Sequence, residues 1–415
     1  MTRRNIWGAA AALAAILLTV KANAQALDLT KFEAWVDLRG AVSTAGEEWL
    51  DGGFSKTRYG GTNDTNADFE IAEATALWEP RFTASLSAHL NLQAGPDQDM
   101  PFSAVEAFLR WRMPPKSPWR ISAKAGRFYP PISLEHEGPA WTLTRSITPS
   151  AINSWIGEEV AVIGLEGRAA RVFGDHFFDF RFSAFGFNDT AGTLLSLRGW
   201  ALHDIRTVIG GSFRVPDDPV RRTIVPLQAE RTRPTKELDG RVGFYASARW
   251  RYSDLIQVDI LAYDNRADPN AIRNGQYGWR TKFFSGGLKY TPVEGFEILV
   301  QGMFGSTAMG PVSELDMSVL KFDDTYVSAY VLTAIESGDN RFSVRAAHFR
   351  VGKRSIESAQ NPENGWAGTV AWIRPVTKHL RVGLEALYTN HDRPILGVAG
   401  RTQDVQVQTS IQLRY

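Results

Sequence analysis

Alternation of apolar and polar residues dominates the chain beyond residue 30. In Arg81–Gln93 the even positions are Phe82, Ala84, Leu86, Ala88, Leu90 and Leu92, and the odd ones are all polar. A period of two turns every apolar group to one face of an extended strand and every polar group to the other. The same dyad runs through Phe32–Val42, Trp119–Ala125, Phe178–Gly186, Val242–Tyr252, Ile256–Ala262, Phe296–Phe304, Trp366–Trp372 and Leu380–Tyr388. It closes the chain, where Val405, Val407, Thr409, Ile411, Leu413 and Tyr415 share one face. Three segments blur it. Ala67–Trp78 changes phase near Ala72, and Glu158–Gly167 and Thr281–Tyr290 are mixed, as β-bulges would make them.

The links alternate in length too. Short ones fall near residues 79–80, 114–118, 168–175, 253–254, 292–295, 337–340 and 374–378. Long, polar ones fall near 44–66, 94–101, 130–157, 188–239, 265–278, 305–317, 352–364 and 390–402. Seven short turns and eight long loops join sixteen strands, and eighteen if 188–239 holds another hairpin. Short turns at one end, long loops at the other and an even strand count define an all-β, transmembrane antiparallel β-barrel. A soluble sandwich would pack its apolar face with large branched residues from two sheets. Here that face mixes Ala and Gly with Leu, Val and Phe. Trp78, Trp111, Trp119, Trp250, Trp366, Trp372, Tyr290 and Tyr388 sit near strand ends, as interfacial girdles require.

The start of the chain sets the compartment. Arg3 and Arg4 precede an apolar run of about fifteen residues, from Ile6 to Val20, and then Ala22-Asn23-Ala24. That is the form of a secretory signal cleaved after Ala24, and the run is shorter than the roughly 20 residues of a spanning helix. Residues 1–24 are expected to be the signal peptide and 25–415 a barrel in the outer membrane of a Gram-negative cell. Losing Arg3, Arg4 and Lys21 takes the formal net charge from +1 to −2, which argues against a nucleic-acid partner. No cysteine is present, so disulfides and thiolate metal sites are excluded.

If the apolar positions face lipid, their neighbours line a lumen. This assigns Arg39, Arg81, Arg110, Arg112, Arg120, Lys124, Arg181, Arg241, Arg249, Arg251, Arg345, Arg381 and Arg414 inward, against Glu33, Asp37, Glu106, Asp179, Asp259, Glu297 and Glu385. The wall is expected to be modestly basic, and the sign of such charges sets ion preference. Cross-strand pairing is the competing role for each of them. The third long link, 130–157, carries Ile132, Leu134, Trp141, Leu143, Ile147, Ile152 and Trp155. A solvated loop has no need of these. Folding into the barrel would bury them and narrow the pore. Glu135, Glu137, Trp141, Arg145 and Trp155 are then the constriction residues, with Glu158 and Glu159 at the loop's end.

No enzyme motif stands out, and neither a cofactor nor a metal is expected. The seven histidines are scattered, and His136 between Glu135 and Glu137 is the one local cluster. Asp316, Asp323 and Asp324 could hold calcium on an external loop, although such groups are usually just solvated.

The plan of sixteen strands with a long inward third loop resembles the bacterial porins. Gly126-Arg127-Phe128-Tyr129-Pro130-Pro131-Ile132-Ser133-Leu134-Glu135 is similar to the Gly-x-Phe-x-x-Pro-x-x-Leu-Glu stretch of porins related to the phosphate-selective porins O and P, where Lys often stands in place of Tyr129. Gln403–Tyr415 is similar to the aromatic-ended strand that the barrel assembly machinery reads in outer-membrane barrels. The resemblance implies a homotrimer among outer-membrane lipids and lipopolysaccharide. It also implies a water-filled channel for small hydrophilic solutes and ions, with a mild anion preference from the basic wall. The alternative is a barrel with an adhesion, receptor or structural role whose pore its loops block.

Overall fold

The computed structural model describes residues 31–95, 99–114, 117–216, 225–312, 320–354, 362–393 and 400–415. The expected signal peptide lies outside them. Sixteen antiparallel strands close on themselves, each paired with its neighbours in the sequence and the last with the first. They are β1 (Phe32–Ser43), β2 (Asn66–Trp78), β3 (Leu86–Ala94), β4 (Phe102–Arg112), β5 (Trp119–Phe128), β6 (Val162–Phe173), β7 (His176–Gly186), β8 (Gly243–Tyr252), β9 (Ile256–Asp264), β10 (Arg280–Val293), β11 (Phe296–Val312), β12 (Leu320–Ser337), β13 (Asn340–Lys353), β14 (Glu363–Thr377), β15 (Leu380–Asp392) and β16 (Arg401–Arg414). Closure gives each strand two neighbours, as lipid demands, although β2 meets β3 only over Ala74–Trp78 and β4 meets β5 only over Ala107–Arg112. No helix among the described residues is long and apolar enough to cross a membrane.

Strand β16 displays the logic most clearly. Val405, Val407, Thr409, Ile411 and Leu413 are exposed outward, while Asp404, Gln406, Gln408, Ser410 and Gln412 are buried inward. The outward set continues around the barrel through Leu165, Phe180, Phe182, Ile260, Phe304, Val331, Val344 and Val370, a belt that only an apolar solvent tolerates. Trp111, Trp119 and Tyr290 are exposed at its turn end, and Trp366 and Tyr388 at its loop end. The phase change in β2 is a bulge at Ala72: Asp37 pairs with Glu73, but Leu38 pairs with Ile71.

Several expectations are corrected. Among the described residues of 187–242 no strand joins the barrel; a short ribbon pairs Phe213–Arg214 with Arg231–Thr232. Residues 305–312 belong to β11 rather than to a loop, which raises the wall there. Glu158 and Glu159 end a helix, and β6 begins only at Val162, so no bulge is needed to explain that mixed pattern. Arg81 lies exposed in the turn before β3, because the strand starts at Leu86. Arg241 is exposed in the loop before β8 and pairs with Asp268. Asp323 and Asp324 are on β12, paired with Arg354 and Lys353, and make no calcium loop; Asp316 lies outside the described residues.

Candidate functional site

Loop 3, residues 129–161, is built across the barrel interior. Its chain leaves β5 through Pro130 and Pro131, which bring no amide donors into a buried path. Glu135 accepts hydrogen bonds from the Ser150 amide (2.9 Å), the Ser150 hydroxyl (2.6 Å) and Asn153 Nδ2 (2.6 Å), and it is paired with Arg345 of β13 (2.7 Å). Ser150 caps helix α1 (Ala151–Glu159), its hydroxyl accepting from the Asn153 amide, so one carboxylate fixes both the turn and the helix start. Glu385 of β15 accepts from the amides of Ile147 (2.7 Å) and Thr148 (3.1 Å). Arg145 reaches both Glu137 (2.6 Å) and Glu297 of β11 (2.7 Å). These ties join the loop to strands far from β5 and β6.

Apolar contacts complete the docking. Helix α1 is buried on every side, and Trp155 meets Phe283, Tyr326 and Trp200 edge-on at 5.3–6.0 Å between ring centres. The Trp141 ring lies between His136 (3.5 Å) and Tyr129 (4.1 Å). Ala140 and Trp141 both have positive φ, 52° and 57°, a conformation that L-residues hold only when their surroundings impose it.

A second insert went unread in the sequence. Residues 188–208 of loop 4 (187–242) are almost wholly buried, with a short helix α2 at Thr193–Leu197. Glu159, the last residue of α1, accepts the amides of Gly192 (3.2 Å), Leu194 (3.0 Å) and Leu195 (3.3 Å) at the start of α2. Burial pushes its carboxyl up to about 7, against the pull of the Leu194 amide. Next to it Glu158 takes Arg198 (2.7 and 2.8 Å) and His203 (2.7 Å); burial would raise its carboxyl, but the Arg198 guanidinium, with the His203 ring beside it, holds it down at about 2. Asp204 bridges Arg39 of β1 (2.9 Å) and Arg58 of loop 1 (2.8 Å). Burial opposes its charge, yet the two guanidinium groups hold it far below the usual carboxylate range. Arg206 pairs with Glu73 and donates to the Ala140 carbonyl (2.6 Å). Leu194, Leu195, Leu197, Trp200 and Leu202 carry the same signal that betrayed loop 3, apolar groups a solvated loop does not need.

The inserts leave space mainly at the turn end. Arg110, Arg112, Lys124, Arg168 and Arg181 line a cavity of about 200 Å³ with Glu166 as its one acid. Arg112, Arg120 and Arg168 line a neighbouring cavity of about 550 Å³. Arg168 and Arg181 share Asp179, and Lys124 lies 3.4 Å from Glu166. Arg110, Arg112 and Arg120 form no ion pair among the described residues. A third cavity, about 490 Å³, holds Arg251, Lys289, Arg341 and Arg145 against Glu137, Asp254, Glu297 and Glu336, in near balance. Arg249 is tied to Asp259, and Arg381 sits apart, bonded to Gln412 and the Leu143 carbonyl. The expected basic residues therefore separate: four gather at one mouth, two lie on β8, and Arg381 and Arg81 stand elsewhere. The loop residues separate as well, for Trp141 borders a cavity while Trp155 is core. Glu73, Glu166, Asp324, Glu363 and Asp404 are buried in the interior and were missing from the inward set, as were the basic Arg168, Lys289, Arg341 and Lys353, so alternation undercounted both signs.

The sequence matches no family model and no curated protein sequence. Its fold does find counterparts among solved structures. The outer-membrane channel DcaP of Acinetobacter baumannii is similar at TM-score 0.55 and 10% identity, covering 93% of this chain and 96% of that one. The anion-selective porin of Comamonas acidovorans gives 0.52 and 9%, covering 93% and 99%. OmpT, an outer membrane protein of Vibrio cholerae, gives 0.50 and 8%, covering 92% and 97%. At these identities the likeness is one of fold: the chain has the sixteen-stranded barrel fold that outer-membrane porins share.

Proposed function

We propose that the chain is an outer-membrane porin, a narrow channel for passive diffusion of small hydrophilic solutes with a mild preference for anions. Under this reading residues 1–24 are removed on export, the barrel assembly machinery inserts the chain through β16 among lipids and lipopolysaccharide, and three copies associate. One observation carries the anion preference: Arg110, Arg112 and Arg120 face the turn-end cavities and form no ion pair among the described residues. Unpaired cations at a low-dielectric mouth raise the local anion concentration, and salt screens the effect over about 10 Å at 0.1 M. The filled interior supports a small bore.

The test is a reversal potential in a KCl gradient across a planar bilayer. An anion-selective sign is expected, strongest in dilute salt, and Arg110→Gln with Arg112→Gln should move it toward zero. A cation-selective sign would overturn the preference and leave the channel standing. A barrel that never conducts would overturn the channel.

A further inference from the structure

The interior has two unlike halves. On β8–β13 the inward residues include Tyr263, Phe283, Leu299, Met303 and Tyr326, and they join Trp155 in one continuous apolar core. That half is sealed by contacts water cannot replace. On β16, β1 and β2 the inward residues are mostly polar, among them Gln408, Ser410, Gln412, Asp37, Arg39 and Glu73. Here a cavity of about 40 Å³ remains between the wall, loop 3 at Trp141 and loop 4 at Asp204 and Arg206. About 10–15 Å³ of such space already admits one water, so this polar cavity is wet.

Resting on the channel reading above, we propose that solute crosses the barrel along this polar seam, and that the Asp204–Arg206 segment of loop 4 is its movable stopper. Toward the wall the segment is held by ion pairs, Asp204 to Arg39 and Arg206 to Glu73. Its apolar residue, Ile205, packs with Trp49, Leu194 and Phe213, all of them loop residues. When the segment lifts, Arg39 keeps Asp37 (2.9 Å) and Gln408 (3.0 Å), and Arg58 keeps Glu70 (3.2 Å). Glu73 likewise keeps Trp35 Nε1 (2.9 Å) and Gln93 Nε2 (3.0 Å). The wall thus stays satisfied and the freed charges meet water, whereas opening the other half would expose an apolar core. The seam is lined by both signs, Arg39, Arg206 and Arg381 against Asp37, Glu73 and Asp204. It selects for polarity and small size, and charge preference is left to the mouth.

The chain has no cysteine, so single thiols report without background. Gln412→Cys, Ser410→Cys and Met303→Cys are treated with a charged methanethiosulfonate during bilayer recording, using only protein that keeps a heat-sensitive shift in gel mobility. The expected result is a several-fold loss of current at Gln412→Cys and Ser410→Cys, none at Met303→Cys, and a several-fold higher conductance or open time for Asp204→Asn. Block at Met303→Cys, or no block at either seam position, would overturn the route. An unchanged Asp204→Asn channel would overturn the stopper. A wild-type barrel that never conducts would instead bring down the channel reading itself, an outcome separable from both.

Discussion

The two halves of the interior obey different physics although they share one sheet. Along β8–β13 the wall treats loop 3 as a soluble protein treats a core helix, burying Trp155 and Ile152 against Phe283, Tyr326 and Leu299. Along β16, β1 and β2 it offers amides, carboxylates and guanidinium groups that loops 1, 3 and 4 satisfy one by one. Apolar packing is non-directional and lost only when the whole contact opens. Polar contacts can be handed to water singly, at a net cost of about 0.5–1.5 kcal/mol for each ordinary hydrogen bond. One barrel can thereby hold a fixed insert on one side and a yielding one on the other.

The largest expected effect breaks the apolar half. Trp155→Ala removes a ring enclosed by Phe283, Tyr326 and Trp200 and should cost loop 3 about 3–5 kcal/mol of docking free energy. Loop 3 should become protease-sensitive and the conductance should rise, while the barrel keeps its heat-sensitive gel mobility. If loop 3 stays as resistant as in the parent, its anchorage does not lie in the apolar core.

Arg345→Ala probes a fully buried polar anchor within that half. It strands Glu135 in a buried site, at about 3–5 kcal/mol, because the remaining charge keeps its Ser150 and Asn153 donors but has neither solvent nor counter-ion. Arg345→Met combined with Glu135→Gln should recover most of the loss. A double variant as damaged as the single one would mean that packing at β13 matters more than the charge.

Outside the barrel, Val407→Arg should impair assembly by about 2–4 kcal/mol near the midplane, as read by urea titration in lipid vesicles. Gln408→Arg on the opposite face is not the mild control that alternation suggests. Gln408 is 2% exposed and donates to Thr148 (2.8 Å) and Glu385 (2.9 Å), so the change should loosen loop 3 without hindering insertion. Equal insertion defects at both positions would contradict the assigned faces.

Alternation made the outer surface legible, because lipid asks the same of every outward residue. It made the polar half of the lumen legible too, as Asp37, Arg39, Gln408 and Glu385 show. The apolar half hid itself. Phe283 and Leu299 point inward against α1, so strands with two apolar faces read as mixed or gave no hint of what they enclose. Glu73 and Glu166 escaped the inward set because one lies beside the bulge at Ala72 and the other on a strand whose expected start, Glu158, is the end of α1. Single residues on loops, such as Asp204 and Arg206, have no period to reveal them, and only the closed barrel brings them to Arg39 and Glu73.

The smallest effect is a pH dependence at the joint between the inserts. Burial holds the Glu159 carboxyl at about 7, above the ordinary 4.5, so the folded joint keeps a proton that the loosened loop releases earlier. A raised carboxyl contributes stability that is complete below about 4.5 and is lost as pH climbs through about 7, at no more than about 1.4 kcal/mol per pH unit. Contact between α1 and α2 should therefore weaken from about pH 5 to pH 7 and then level off. Asp189 in loop 4, raised to about 7 by burial with Glu237 and Asp239 nearby, titrates in the same window. The comparison is best made in an Asp189→Asn background, with Glu159→Gln as the test. Protease cleavage within loops 3 and 4 should accelerate over this range in the background protein and stay flat once Glu159 is replaced. Parallel pH profiles in the two would show that the joint takes its pH response from other groups, and that α1 holds α2 through packing and amide contacts alone.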